Sequence, residues 1–247
     1  MINSVKDDGT LWITINRPQK LNAATTEMLK ELLHLLDTAA TDSSLRAIVI
    51  SGAGEKAFCA GADITEENAL SPVEHISFCY FGQKICDAIE NNPLPVIAAI
   101  NGYCLGGGFE LAMACDFRIA VPQASMGLPE LNLGALPGWG GMLRLIKAVG
   151  TSTAKEIILL RKTLSAEDAL KKGLINEIVD REQLHLKCQE YVSALAEVPP
   201  FVLGAAKKIL GWNSAGDAYF YQAEALANGV TRSLESRRLR EAKFVKK

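Results

Sequence analysis

Two hydrophobic periods run through this chain, and the switches between them mark its elements. Leu11 to Asn16 (LWITIN) alternates apolar with polar and is rich in β-formers, so it predicts a strand, which Arg17-Pro18 ends. Met28, Leu29, Leu32, Leu33, Leu35 and Leu36 then recur at helical spacing behind Thr25, a residue type that caps helix N-termini. Ala47 to Ile50 is wholly apolar and reads as a buried strand, closed by Ser51-Gly52-Ala53-Gly54. Strand, long helix, strand predicts a βαβ unit with a right-handed crossover.

Further along, Phe58 to Ile64 (FCAGADI) is small-residue sequence without a clear period, and Glu66 to Ser71 reads as a polar, mobile stretch. Helical character returns from Pro72 to Ile89 and stops at Asn91-Asn92-Pro93. Val96 to Ile100 and Asp116 to Val121 predict two more strands, and Ser125 to Pro137 is irregular. From Gly138 the pattern is helical. Met142 to Val149 and Thr153 to Leu160 predict two helices, and Ser165-x-x-Asp168 opens a third in the manner of a capping box. Leu174 to Val179 is a short strand or extended link, Asp180 to Gln183 reads as a helix cap, and Pro199-Pro200 marks a turn before further helices. The pattern divides into an α/β core, residues 1–190, and a strandless helical region, 191–247.

Composition narrows the classes. With 247 residues, 49% of them hydrophobic and 22% charged, the chain suits one large domain, or one domain with a small appendage. A net charge of −2 supplies no pull toward nucleic acid or anionic membranes. His34, His75 and His185 lie far apart, which predicts no metal cluster. The six cysteines form no C-x-x-C and read as reduced thiols of a cytoplasmic protein. No apolar run approaches the ~20 residues of a membrane span, and the N-terminus carries no signal-peptide core.

The stretch with candidate chemistry is Pro95 to Asp116 (PVIAAINGYCLGGGFELAMACD). It reads as strand, glycine-rich bend and helix N-terminus, with Glu110 in the first turn. The first N–H groups of a helix lack internal partners and carry the positive end of its dipole. Glycines let a ligand approach them, so the bend suits an oxyanion or a phosphate. Neither G-x-G-x-x-G nor G-x-x-x-x-G-K-[ST] is present, which speaks against a dinucleotide or nucleoside-triphosphate site. Close packing of helix on strand would account for the same glycines without a ligand.

With its triple glycine and closing Cys115-Asp116, Ile97 to Phe117 resembles the signature of the enoyl-CoA hydratase/isomerase (crotonase) superfamily. Asn16-Arg17-Pro18 with Asn22-Ala23, Ala57 to Asp63, Pro129-Glu130 with Gly140-Gly141, and Ser165-Ala166 with Gly173-Leu174-Ile175 resemble that family's other motifs, in the same order. The resemblance implies a core of stacked ββα units with a helical C-terminal trimerisation region, assembled as a homotrimer or a dimer of trimers. It implies an acyl-CoA thioester as substrate, with no metal or separate cofactor. It places an oxyanion hole at the N–H groups of Ala62 and Gly107, and the two catalytic carboxylates at Glu110 and Glu130. Coenzyme A and its acyl group would meet Ala60, Asp63, Ile64, Gly106, Phe244 and Lys247. Trp139 would line the acyl pocket or serve as a core aromatic.

The division of labour expected is that Glu110, favoured as the anion by the helix dipole, deprotonates water at the β-carbon. Glu130, raised in pKa by burial, exchanges a proton with the α-carbon. The resemblance has gaps: Thr65 replaces a lysine of many hydratases, and Met142-Leu143 replaces the more usual Thr-Gln. Hydration of a trans-2-enoyl-CoA is the expected reaction. Isomerisation or decarboxylation on the same scaffold is the first alternative. A non-catalytic RNA-binding or scaffold protein is the second, opposed by the acidic balance.

Overall fold

The computed structural model describes residues 1–211. The chain opens with an antiparallel hairpin, β1 (Ile2–Asp7) and β2 (Thr10–Ile15), followed by α1 (Thr26–Ala39) and then β3 (Ala47–Gly52), which pairs parallel to β2. The predicted βαβ unit is therefore present. Thr25 caps α1 as its residue type suggested, its hydroxyl accepting from the Met28 N–H. The apolar stripe of α1 faces inward, with Leu29, Leu32 and Leu36 at most 2% exposed.

A repeated unit follows, and it explains how the site is built. β3 leads to β4 (Ala57–Cys59), then α2 (Ile64–Glu67) and α3 (Pro72–Glu90); β5 (Val96–Ile100) leads to β6 (Tyr103–Leu105) and α4 (Gly107–Ala114); β7 (Phe117–Ala120) leads to β8 (Ser125–Gly127). The first strand of each unit joins a large sheet and the second a small one, so each ββα unit is stacked on the one before. In the large sheet β2, β3, β5 and β7 run parallel in that order, and in the small sheet β4, β6 and β8 do the same. The corners between sheets are tight. A Cβ on Gly52 would meet the Ala57 carbonyl at 2.2 Å, and one on Gly102 the Lys56 carbonyl at 2.2 Å. Asn101 ties two corners together, its amide donating to the Gly52 and Gly54 carbonyls at 2.8 Å each.

Beyond β8 come α5 (Gly141–Leu159), β9 (Leu164–Ser165), α6 (Ala166–Lys171), β10 (Glu177–Ile178), α7 (Leu184–Ala196) and α8 (Pro200–Gly211). The two helices predicted on either side of residue 150 are one element broken at Gly150, whose φ of 75° and ψ of 160° interrupt the helix. The Ser165 cap is as expected, with its hydroxyl accepting from the Asp168 N–H at 3.1 Å.

Two local expectations fail. Glu66 to Ser71 is not loose: Glu66 belongs to α2 and accepts the Thr26 N–H at 3.1 Å, while Ser71 and Glu74 form a reciprocal capping box that starts α3. Asp180 does not cap α7 with its side chain; residues 181–183 form a 3-10 turn that leads into the helix. Among the described residues no helix is long and apolar enough to cross a membrane.

Candidate active site

The site lies where the turn after β4, the start of α4 and the segment after β8 meet the start of α5. After β6 the chain turns through Gly106, at φ +53° and ψ −130°, a conformation that glycine alone adopts without strain. α4 begins at the next residue with no side-chain cap, so its positive end is open. The N–H of Gly106 donates to the Gly127 carbonyl at 2.9 Å, whereas the Gly107 N–H has no acceptor among the described residues.

Facing it is the turn after β4. Gly61 takes φ +109°, and a Cβ there would come within 3.5 Å of the Gly107 nitrogen. Ala62 bridges Ala24, but the bridge uses the Gly61 carbonyl and the Asp63 N–H. The intervening Ala62 N–H is left on the other side of the chain, again without an acceptor among the described residues. Two unpaired amide donors thus sit on adjoining turns, each next to a glycine in a backbone conformation closed to other residues.

Ala60, Ala62, Ile64, Gly106, Gly107, Glu110, Glu130 and Trp139 all line one cavity of about 340 Å³. Larger hollows lie beside Asn92 and Phe201, and beside Asp116 and Lys207, away from these residues. In the second of them the facing charges, Asp116 and Lys207, are already paired with each other at 2.7 Å.

Glu110 is 1% exposed. Its Oε1 accepts the N–H groups of Gly141 at 2.7 Å and Trp139 at 2.8 Å. Burial nevertheless holds its carboxyl above the ordinary range, against the pull of those two donors and of the Arg144 charge. The expectation that the carboxyl is favoured as the anion is corrected here: loss of water is the largest influence on it and favours the protonated form.

Glu130 opens the 3-10 turn Glu130–Leu133. Burial pushes its carboxyl up to about 7, with the negative charges of Glu110 and Glu67 adding to the shift. Its Oε2 is buried with no partner. Its Oε1 lies over Gly106, where a Cβ would come to 3.3 Å. The site therefore holds one carboxylate tied down by two amides and a second with an unused oxygen.

Trp139 is both things the sequence allowed, a cavity wall and a core aromatic. It is 3% exposed and stacks edge-on against Phe78 with centroids 5.8 Å apart. Its ring fills the space that side chains would need at Gly107 and Gly82, where a Cβ would meet it at 2.5 and 2.2 Å. Arg144 holds the adjoining loop, donating from Nη1 to the Trp139 carbonyl at 3.1 Å and pairing with Glu90 at 2.7 Å and Asp87 at 2.8 Å.

Asp63 does not line the cavity. Its carboxylate pairs with Arg17 at 2.5 Å and caps α2 through the Thr65 and Glu66 N–H groups, so it shapes the segment from behind. Arg17 in turn donates its backbone N–H to Asn22 Oδ1 at 2.9 Å, which links the N-terminal motif to this turn. Phe244 and Lys247 lie outside the described residues. The sequence reading missed Glu67, His75 and Cys79, which come from α2 and one face of α3 to line the same cavity. His75 and Cys79 are four apart on a predicted helix, which was the available signal; nothing local said that this face meets a cavity.

A model of the enoyl-CoA hydratase/isomerase family matches residues 6–240. The chain is 39% identical over 198 residues to a short-chain-enoyl-CoA hydratase of Clostridium acetobutylicum, covering 80% of this chain and 76% of the relative. It is 41% identical over 179 residues to a crotonyl-CoA hydratase of Syntrophomonas wolfei, covering 72% of this chain and 69% of the relative. Its fold superposes on the crystal structure of an enoyl-CoA hydratase from Bacillus anthracis with a TM-score of 0.95 at 33% identity, covering 99% of this chain and 96% of that one.

Proposed function

The chain belongs to the enoyl-CoA hydratase/isomerase family, and on that footing we infer that it is an enoyl-CoA hydratase, a hydro-lyase that adds water to a trans-2-enoyl-CoA to give the 3-hydroxyacyl-CoA. The observation that carries the reading is that the Glu110 and Glu130 carboxyls and two unpaired amide donors share one cavity.

In this reading the thioester oxygen lies between the N–H groups of Ala62 and Gly107. As the water oxygen bonds to the β-carbon, the π pair moves toward that oxygen, where the two donors stabilise the developing charge. One such donor is worth ~3–4 kcal/mol of transition-state stabilisation. Glu110, ionised, takes the proton of the incoming water. Glu130, protonated below about 7, gives its proton to the α-carbon. Proton exchange with solvent then restores both groups.

Ala60, Ile64 and Gly106 contact the thioester and its pantetheine arm, while Asp63 fixes the turn that carries the Ala62 donor. Trp139 closes the acyl end. Coenzyme A enters as part of the substrate, and the chemistry draws on no metal or separate cofactor. Leu143, Leu159 and Leu160, all more than half exposed, are the kind of apolar surface that a subunit contact covers, which supports a homotrimer or a dimer of trimers. The six free cysteines suit a reducing, cytoplasmic setting, and hydration of a 2-enoyl-CoA suits a role in fatty acid metabolism.

Loss of the conjugated thioester absorbance on mixing with crotonyl-CoA tests the reading. Turnover of a Δ3-enoyl-CoA or a carboxylated acyl-CoA with crotonyl-CoA left untouched would move the chain to the isomerase or decarboxylase reading.

A further inference from the structure

One group of reactive side chains in the cavity takes no part in the hydration scheme. Cys79 Sγ lies 3.7 Å from Nδ1 of His75, one helical turn back on α3. His75 Nε2 lies 3.4 Å from Oε1 of Glu67 on α2. All three residues line the cavity that holds Glu110 and Glu130. The other five cysteines are buried and line no part of it.

The order of contacts sets the proton positions. The Glu67 carboxylate, 3.4 Å from Nε2, electrostatically favours the imidazole tautomer with its proton there. Nδ1 is then the acceptor that faces the thiol. A nucleophile, a base and a group that orients the base form the arrangement by which thiols are activated. Cys79 also packs on Gly138, where a Cβ would come within 2.7 Å of Sγ. Gly138 adjoins Trp139, whose N–H holds Glu110. The thiol therefore sits on the loop that carries the donors to Glu110, next to where an acyl group would lie.

We propose that Cys79, with His75 as its base and Glu67 orienting the base, is a covalent capture site for α,β-unsaturated thioesters that enter the cavity. The proposal rests on the cavity taking a 2-enoyl thioester. In the step, Sγ bonds to the β-carbon as its proton passes to His75 Nδ1. The π pair of the double bond moves onto the α-carbon and thioester oxygen, where the amides of Ala62 and Gly107 stabilise it. The proton is then delivered to the α-carbon. The net change is addition of S–H across the double bond, with no oxidant and no leaving group. Burial and the charges of Glu67 and Glu110 raise the thiol's pKa, so it stays protonated until His75 takes the proton. Capture is accordingly slower than hydration, and it draws on the same β-carbon.

The test is intact-mass spectrometry of the full chain held with crotonyl-CoA, with hydration followed by absorbance in the same sample. The expected result is a single adduct of one crotonyl-CoA, mapped by digestion to Cys79 and absent in Cys79→Ala. In His75→Ala the adduct should form roughly 100-fold more slowly, the usual worth of a positioned base. No adduct while hydration proceeds, an adduct on another cysteine, or capture at an unchanged rate in His75→Ala would each overturn the proposal. Capture without hydration would instead overturn the hydratase reading and leave this one standing.

Discussion

Oε1 of Glu110 accepts the N–H of Gly141 across 2.7 Å. That contact joins the helix whose positive end opens on the cavity to the first residue of the helix that closes it. The neighbouring Trp139 N–H binds the same oxygen at 2.8 Å, so Oε1 is fully engaged and Oε2 is the atom left for water. A carboxylate held in this way can accept a proton without swinging away from the β-carbon. Glu110→Gln keeps the shape but not the basicity, and hydration of crotonyl-CoA should fall by about 10²–10⁴. Steady-state rates check this, with KM expected to change far less than kcat.

Glu130 should behave differently because its Oε2 is buried without a partner. Its folded-state pKa, about 7, lies above its unfolded value, so ionising it costs stability: the protonated form's contribution is fully present at low pH and is lost as pH rises toward about 7. Glu130→Gln removes that ionisation. The variant should lose hydration by 10² or more, yet melt higher than wild type at pH 8 and show no such gain at pH 5. Melting curves at the two pH values decide the point.

The two directions of the reaction should share one pH profile in kcat/KM, because addition of water has no net proton in its equilibrium and both directions start from a carboxyl pair carrying one proton. Hydration needs the Glu130 proton, so its kcat/KM should fall as pH passes about 7. Dehydration of 3-hydroxybutyryl-CoA starts from the same pair with its one proton on Glu110, so its kcat/KM should fall over the same interval. Glu110, also raised by burial, must be ionised for hydration and limits the acid side. Initial rates in both directions across that range provide the check. A hydration profile with no alkaline limb near 7 would remove Glu130 from proton transfer at the α-carbon.

Much of this site could be read from the chain, for identifiable reasons. Glycines at 106 and 107 are legible because backbone donors need small residues, and Thr25 because its hydroxyl satisfies an N–H that would otherwise go unpaired. The reason for Gly107 was misread, however. The obstacle to a side chain there is the Trp139 ring, 2.5 Å from where a Cβ would sit, and that contact joins residues far apart in sequence. Asp63 stands in a segment that reads as ligand-binding, but its partner is Arg17, forty-six residues earlier. The 3-10 turn at 181–183 and the ordered 64–67 turn both depend on contacts that a local pattern does not carry.

The Trp139 contact gives a further expectation. Gly107→Ala should cost about 1–3 kcal/mol by overpacking and displace the ring into the acyl space. Adding Trp139→Leu should recover part of that stability, because the two changes relieve each other and are not additive. Denaturant unfolding of the two single variants and the double variant measures the coupling.

Arg144 is expected to act through the loop it holds. Arg144→Met leaves the Glu90 and Asp87 carboxylates without their cation and frees the Trp139 carbonyl. Hydration should drop about tenfold as the Glu110 donors lose their fixed positions. With the Arg144 charge gone, the acid limb of the rate profile should move to higher pH. Arg144→Lys should restore part of the rate and most of the profile, since it keeps the charge.

The central claim is that the amides of residues 62 and 107 hold one acyl oxygen while Glu110 and Glu130 face the two carbons beside it. A crystal structure with butyryl-CoA, a saturated ester that cannot be hydrated, measures this directly. The account predicts the thioester oxygen at ~2.7–3.1 Å from both nitrogens, with the α-carbon toward Glu130 and the β-carbon toward Glu110. A thioester bound with its oxygen away from either amide, or with both carboxylates on the same carbon, would contradict it.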